Sequence, residues 1–157
     1  MSTTSTVAAF IGILAAAIGY GTDVFEALVQ RPALARVDDT AVAAVMGRVH
    51  EFGDRRLPIP GTLAMVATAT ATVAAALDGS AARAAVAGVA LVALLAWSGI
   101  YLRVAAPINR IFIAAARAHT TPEDTRRLQA RWDSVITARA LLMTTAVAGL
   151  ALTAILH

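Results

Sequence analysis

The sequence predicts an all-α integral membrane protein, a four-helix bundle that forms a single domain over residues 1–157. Three observations support this prediction. Of the 157 residues, 59% are hydrophobic and only 15% are charged, whereas soluble domains contain about 45–50% apolar and about 25% charged residues. Apolar stretches of about 18 residues or more recur, as membrane-spanning helices require. The arginines flank these stretches and do not form a stripe along any one of them.

The four predicted spans cover about residues 7–29, 60–77, 84–104 and 135–156. A bilayer core of roughly 30 Å is crossed by about 20 helical residues. The uncharged part of the first span, residues 7–22, is slightly short for this distance. We therefore expect Asp23 and Glu26 in the last turns of that span, near the headgroups or just inside them.

The connection between spans one and two contains a predicted amphipathic helix over about residues 40–56. The stretch "DDTAVAAVMGRVHEFGDRR" opens with acidic residues and a threonine, which cap helix N-termini well. Pro58 and Pro60 are expected to end this helix. Its apolar side chains follow helical spacing at Val42, Val45, Met46, Val49 and Phe52.

Span three is predicted to continue as a helical extension towards span four. Pro107, within "RVAAPINRIFIAAARAH", should kink or restart that helix. The stretch "TPED" at residues 121–124 resembles a helix start, with a threonine cap, proline at the first position and acids in the first turn. The helix that begins there is expected to run unbroken through Trp132 into span four.

The composition excludes several classes of chemistry. The chain has no cysteine, which rules out disulfides, thiolate catalysis, cysteine zinc sites and iron–sulfur clusters. All 13 basic residues are arginine, so a lysine Schiff base is excluded too. Because the arginines flank apolar segments, they indicate membrane topology and lipid contact, and we expect no nucleic-acid partner.

Polar side chains are predicted to converge at one membrane face, where spans one and three end and span four begins. Asp23 and Glu26 lie three residues apart and share a helix face. Because charges at membrane depth are expensive and usually pair, Arg103 and Arg139 are their expected partners. The candidate site residues are Tyr20, Asp23, Glu26, His50, Asp54, Arg103, Asn109, Trp132 and Arg139.

Two residue pairs in this set allow a structural and a functional interpretation. His50 and Asp54 are four residues apart, so the aspartate could set the tautomer of the histidine and raise its basicity. They could equally be a neutral interfacial histidine beside a helix-end aspartate. Trp132 and Arg139 share a helix face, and could bind a substrate or act as an interface anchor and a headgroup-bound arginine.

The sequence predicts no organic cofactor, and a metal ion only as a minor alternative. Glu26, His50 and Asp54 are acceptable ligands for iron or manganese, and Asp23 could join them. However, the chain contains neither an HExxH nor an ExxH pair, and one histidine is few for a redox metal.

Four fragments occur in the same order in a known family: "VQRPAL" after span one, "HEFGDRRLPIPG" before span two, "APINR" after span three and "RW......R" entering span four. The chain resembles the anthrone oxygenase-like family of small four-helix membrane proteins over nearly its whole length. The resemblance implies a four-helix membrane fold. It also implies oxidation of anthrones to anthraquinones in polyketide pathways, without an organic cofactor. The matching positions are Pro32, Pro107, Asn109, Trp132 and Arg139.

Two functions therefore follow from the sequence. The first is a monooxygenase-like enzyme that acts with O2 on a flat, apolar, anthrone-type substrate. His50, oriented by Asp54, would be the base. Arg139 and Asn109 would hold the enolate oxygen, and Trp132 would stack on the rings. The second is a non-enzymatic protein, either structural or a transporter subunit within a homo-oligomer, with Asp23 and Glu26 as a relay or as ion-paired groups. A closed apolar cavity favours the enzyme, and a continuous polar path favours transport.

The arginine distribution generates a prediction for orientation. The connections 30–59 and 105–134, with the adjoining span ends, hold every arginine except Arg83. By the positive-inside rule this face is cytoplasmic, so both termini should lie outside, in a bacterial inner (cell) membrane. Reporter fusions at Leu156 and near Gly79 are expected to report the outside. A cytoplasmic signal from either fusion would contradict this orientation.

Overall fold

The computed structural model describes residues 3–156, and its regular elements over that range are helices. Two of the helices are each extended by a five-residue π-helical turn. The elements are α1 (Thr3–Phe25), the first π turn (Glu26–Gln30), α2 (Arg31–Leu34), α3 (Asp39–Arg56), α4 (Pro58–Leu77), α5 (Ala81–Ile100), the second π turn (Tyr101–Ala105), α6 (Ala106–Ala118) and α7 (Thr125–Ile155).

The predicted four-span architecture is confirmed. Four continuous segments are long and apolar enough to cross a membrane: Thr3–Leu34, Pro58–Leu77, Ala81–Ala118 and Thr125–Ile155. Three of them exceed 30 residues and are therefore longer than about 45 Å, whereas a bilayer core measures roughly 30 Å. Their surplus lengths and α3 consequently form a second helical layer beyond one end of the spans.

Within the bundle, α1 and α5 each pack against both α4 and α7, so α1 and α5 occupy diagonal positions. Small residues allow this close packing, because Ala9, Ala71 and Ala90 are completely buried between the helices. In the layer beyond the spans, α3 packs chiefly against α6. The predicted amphipathic helix over residues 40–56 is thus confirmed as α3.

Both π turns have the same local cause. A proline lies two residues beyond each turn, Pro32 after the first and Pro107 after the second. Proline lacks an N–H and its ring clashes with the carbonyl four residues earlier, so a regular α-helix cannot continue through it. The chain responds with wider hydrogen bonds, in which the N–H of Arg31 donates to the carbonyl of Glu26 and the N–H of Ala106 to that of Tyr101. The kink predicted at Pro107 is therefore a π turn.

The start of α7 differs from the prediction. "TPED" was expected to form the first helical turn, but α7 begins at Thr125. The hydroxyl and the N–H of Thr125 both donate to the carbonyl of Pro122 and close a turn before the helix. The carboxylate of Asp124 accepts from Arg127 and makes no capping hydrogen bond. From Thr125 the helix is unbroken to Ile155, as predicted.

The contact between α3 and α6 generates a stability prediction. A Cβ atom at Gly47 would collide with Ala116 and with the backbone of Phe112. We expect Gly47→Ala to lower the free energy of unfolding by about 1–3 kcal/mol, because neither helix can retreat without losing its packing. Thermal unfolding in detergent measures the effect.

Gly53→Ala is the matched control on the same helix, since its Cβ would meet only Leu57 at an ordinary 3.7 Å. That substitution should be neutral or stabilising by up to about 1 kcal/mol, because alanine favours helices over glycine. Equal losses in the two variants would contradict the close α3–α6 contact.

Candidate functional site

A cavity of about 240 Å³ lies where the four spans meet α3. Most of its wall is apolar, formed by side chains such as Ala16, Leu94 and Met143. The structure brings six of the nine predicted site residues into this wall, although they come from four different helices and a π turn. The six are Asp23, Glu26, His50, Asp54, Asn109 and Arg139.

The cavity opens to one side of the bundle. Its lining includes Leu57, Pro58 and Thr62 at the start of α4 and Leu102 in the second π turn, all of which are exposed. Further into the bundle, α4 and α5 close against each other, where the hydroxyl of Ser98 lies 3.7 Å from the sulfur of Met65. The opening therefore lies between α4 and the second π turn, at the end of the spans.

A buried ion pair crosses the site. Nη2 of Arg139 on α7 lies 2.7 Å from Oδ1 of Asp23 on α1, and both side chains are almost fully buried. The other carboxylate oxygen of Asp23 accepts a hydrogen bond from Nε1 of Trp97 on α5. Both oxygens of Asp23 are thus bound, and three spans are joined through one carboxylate.

Aromatic rings surround the guanidinium of Arg139. Its Cζ lies 5.2 Å from the ring centroid of Trp97 and 5.8 Å from those of Tyr101 and Trp132. Trp97 and Tyr101 are stacked, with centroids 6.1 Å apart. Cation–π contacts of this kind contribute about 2 kcal/mol or more when desolvated. They hold the side chain while Nε of Arg139 has no hydrogen-bond partner.

His50 faces the cavity from α3 as a neutral ring. It is 6% exposed, and burial lowers its pKa from 6.5 to about 4, with Asp54 opposing and Arg139 adding to that shift. Its Nε2 has no hydrogen-bond partner. The ring packs against Trp132, with centroids 5.4 Å apart and the ring planes tilted by 44°.

The predicted pairing of His50 with Asp54 is not formed, since no hydrogen bond joins these two side chains within residues 3–156. The carboxylate of Asp54 instead accepts from Nδ2 of Asn109, at 3.1 and 3.3 Å. Oδ1 of Asn109 accepts from Nε1 of Trp132 at 3.0 Å. Asn109 is thus bound to protein groups through both ends of its amide, and its surroundings oppose the predicted role as an enolate ligand.

Trp132 has a different place from the one expected. Only 1% of it is exposed, and it is not among the residues that line the cavity. It packs behind His50 and Asn109, where it can support both but cannot stack on a bound molecule.

Glu26 is buried without a partner. It begins the first π turn, is 4% exposed and lines the cavity. Its charged neighbours are Arg139, Asp23 and Asp54, but in the described part of the chain it forms no ion pair and no hydrogen bond through its side chain. Of the two arginines predicted as partners, Arg139 pairs with Asp23 and Arg103 is exposed.

Two further predicted residues lie away from the cavity wall. Arg103 is exposed on the second π turn, and Tyr20 is half-buried against an apolar cluster that includes Ala16 and Met143. Conversely, Trp97 and Tyr101 were missed by the sequence analysis. Their four-residue spacing near the end of span three places two aromatic rings on one helix face, and this was the available signal.

Carboxylates and His50 share the cavity without forming a metal-binding cluster. Within residues 3–156, no group of three or more histidine, aspartate or glutamate side chains is placed to hold a metal ion. The minor alternative of a site built from Glu26, His50 and Asp54 therefore gains no geometric support.

Some buried polar atoms at the site have no hydrogen-bond partner among the residues that the structure describes. Three buried side-chain atoms lack a hydrogen-bond partner in the described chain: His50 Nε2, Arg139 Nε and Gln129 Oε1. The first two belong to residues that line the cavity. Since buried polar groups are nearly always satisfied, each unpaired atom requires a specific explanation, such as a catalytic role or a bound water or ion.

Comparisons of the chain with protein-family models, with curated proteins and with solved structures return no match.

The two cavity carboxylates should respond differently to neutralisation. Asp23→Asn leaves the buried charge of Arg139 without a counter-ion, which typically costs roughly 3–5 kcal/mol. Glu26→Gln removes a carboxyl that has no such partner and should leave stability nearly unchanged. Thermal unfolding of both variants in the same detergent measures the difference. A large loss in Glu26→Gln, or none in Asp23→Asn, would contradict this assignment of the ion pair.

Proposed function

We propose that the protein is a membrane-embedded, oxygenase-like enzyme that oxidises a flat, apolar, anthrone-type aromatic polyketide with O2. The reaction is base-assisted and uses no organic cofactor. One observation carries the proposal: a mostly apolar cavity is lined by His50 and Arg139, whose Nε2 and Nε atoms have no protein partner. The resemblance of the sequence to the anthrone oxygenase-like family supports the same substrate class.

Oxidation of an anthrone by O2 requires the protein mainly to remove a proton and to stabilise the resulting enolate. An anthrone has a CH2 group between two aromatic rings that is acidified by conjugation with the ketone. Removal of one proton gives an electron-rich enolate, which can itself reduce O2. His50 is suited to accept this proton, because its ring is neutral and Nε2 is free.

Arg139 is suited to stabilise the enolate oxygen. Its Nε–H is an unpaired donor, while Asp23 and three aromatic rings fix the guanidinium. A fixed donor aimed at developing negative charge in a desolvated site is a strong form of catalytic stabilisation. Trp132 becomes a positioning residue packed against His50, and Asn109 holds Trp132 and Asp54 through its amide. Trp97 and Tyr101 provide the aromatic wall on which the substrate rings can pack.

The opening at the end of the spans suits a substrate dissolved in lipid. Exposed apolar side chains, including Leu57 and Leu102, border the opening. An apolar tricyclic molecule could reach the cavity from the bilayer without crossing water. A bacterial inner membrane, with the arginine-rich face cytoplasmic and both termini outside, is the proposed location, and a homo-oligomer is compatible with it.

Packing away from the cavity favours the enzyme over a transporter subunit. There the helices meet through fully buried Ala9, Ala71 and Ala90. At the far end, Arg83 is buried and donates to the carbonyl of Thr153 and the hydroxyl of Ser5. Between these two ends the buried hydroxyl of Thr68 donates to the carbonyl of Ala64 on its own helix, and the buried members of the neighbouring core clusters are alanine, leucine and methionine. A transporter instead needs a continuous polar path.

The base can be tested by substitution. His50→Asn is expected to reduce anthrone turnover by about 10²–10⁴-fold, the usual contribution of general-base catalysis. The same substitution at exposed His119 is the matched control and should leave turnover unchanged. O2 uptake by purified, folded protein measures both.

Arg139→Lys should also reduce turnover, because an ammonium cannot reproduce the planar guanidinium that the rings and Asp23 hold.

Unchanged turnover in His50→Asn would remove His50 as the base. Loss of wild-type activity with a chelator would favour the metal alternative. No turnover by folded wild type would favour the non-enzymatic alternative.

The pH profile provides a second test. The base must be deprotonated, and the free-enzyme pKa of His50 is about 4. After subtraction of the uncatalysed reaction, kcat/KM should therefore hold down to about pH 5 and fall as the pH decreases through 4. An acid limb near 6.5, the value of a solvated histidine, would contradict a buried neutral His50 as the base.

A further inference from the structure

Glu26 is the cavity group that the proposed reaction has not used. It is 4% exposed, lines the same cavity as His50 and Arg139, and has no side-chain partner in the described chain. Arg139, its one cationic neighbour, is bound to Asp23, and its other charged neighbours are carboxylates. An unpaired carboxylate is costly to bury, and such a group usually takes up a proton.

The backbone around Glu26 supports a functional role. This residue begins the first π turn, and single π turns within α-helices occur frequently at functional sites. Tyr101 begins the second π turn on the diagonal helix and lines the same cavity. The two departures from regular helix therefore both deliver side chains to this cavity.

The second half of the proposed oxidation requires a proton donor. When the enolate carbon combines with O2, a C–O bond forms and the resulting peroxide anion takes the proton from protonated His50. The product is a hydroperoxide, and His50 is neutral again. To form the ketone, the carbon must lose its remaining hydrogen as a proton while the O–O bond breaks. The leaving group is hydroxide, which is a poor leaving group unless it is protonated as it departs.

We propose, on the basis of the proposed function, that Glu26 is the proton donor to this leaving hydroxide. His50 removes the second proton from carbon, the C–H electrons form the C=O bond, and the O–O bond breaks. The departing oxygen takes the proton of Glu26 and leaves as water. The proton now on His50 returns to the Glu26 carboxylate. In sum, the CH2 group and O2 become C=O and H2O, a four-electron oxidation of carbon matched by four-electron reduction of O2.

The experiment separates the two halves of the reaction. Without O2, anthrone incubated with protein in D2O exchanges its CH2 hydrogens, which mass spectrometry follows and which reports the His50 step alone. With O2, oxygen uptake and quinone formation are recorded together with peroxide. Wild type, Glu26→Gln and Glu26→Asp are compared, and thermal unfolding checks that each variant is folded.

Glu26→Gln is nearly isosteric but cannot donate its proton to hydroxide. It should retain C–H exchange and O2 uptake while quinone formation falls by roughly 10²-fold and peroxide accumulates. Glu26→Asp should recover part of the quinone rate. If Glu26→Gln does not fold, Glu26→Asp becomes the test variant. Its shorter side chain holds the carboxyl group further from the leaving oxygen, so quinone formation should slow while C–H exchange is retained.

Each other outcome overturns the assignment in a distinguishable way. Quinone formation at the wild-type rate in folded Glu26→Gln would leave the enzyme intact and remove Glu26 as donor. Loss of C–H exchange in Glu26→Gln would place Glu26 before the oxygen step and not after it. No exchange above background in wild type would overturn the proposed function, and the role of Glu26 with it.

Discussion

The buried ion pair between Asp23 and Arg139 is the interaction on which the site depends. It joins α1 to α7, and the hydrogen bond from Trp97 to the same carboxylate adds α5. Because both charges are desolvated, neither can be moved or removed cheaply. The aromatic rings around Arg139 add to this constraint. The consequence for chemistry is indirect: with Arg139 committed to Asp23, its Nε–H and the carboxyl of Glu26 are both left without partners in a mostly apolar cavity.

The two prolines explain how a bundle of regular helices contains such a cavity. Pro32 and Pro107 each follow a π turn on a span, and these spans are diagonal to each other in the bundle. The turns place Glu26 and Tyr101 in the cavity wall. α3 packs across the ends of the spans and contributes His50 and Asp54. The rest of the bundle packs closely through alanine contacts, and at its far end Arg83 forms a second buried polar cluster with Ser5 and Thr153.

Much of the fold and part of the site could be predicted from the sequence. Hydropathy specifies four spans because only long apolar helices can cross a bilayer. The few charged side chains near the span ends were expected to lie together, because charges at membrane depth usually face the bundle interior and pair. The hydrogen-bond and ion-pair partners of these side chains were harder to predict from the sequence, because they depend on the rotation of each helix about its axis. The extra residue in a π turn rotates the following side chains by about 100° relative to an α-helix. Arg103 lies within the second π turn and is exposed, whereas the sequence predicted it as a partner of the carboxylates. Likewise, Asn109 on α6 reaches Asp54 and Trp132 through tertiary packing that no local spacing encodes, and this contact replaces the expected pairing of Asp54 with His50.

The proposed function requires that the cavity bind a flat aromatic ketone through the Nε–H of Arg139, which the ion pair with Asp23 leaves without a partner in the described chain. A crystal structure of the protein with anthraquinone tests it most directly, since the ligand needs no turnover to bind. We expect the rings in the cavity beside Trp97 and Tyr101, with a ketone oxygen about 3 Å from Nε of Arg139. The carbonyl carbon on the opposite side of the central ring, which corresponds to the CH2 carbon of anthrone, should face Nε2 of His50. Anthraquinone located only on the lipid-facing surface, with the cavity occupied by lipid or water, would contradict the claim.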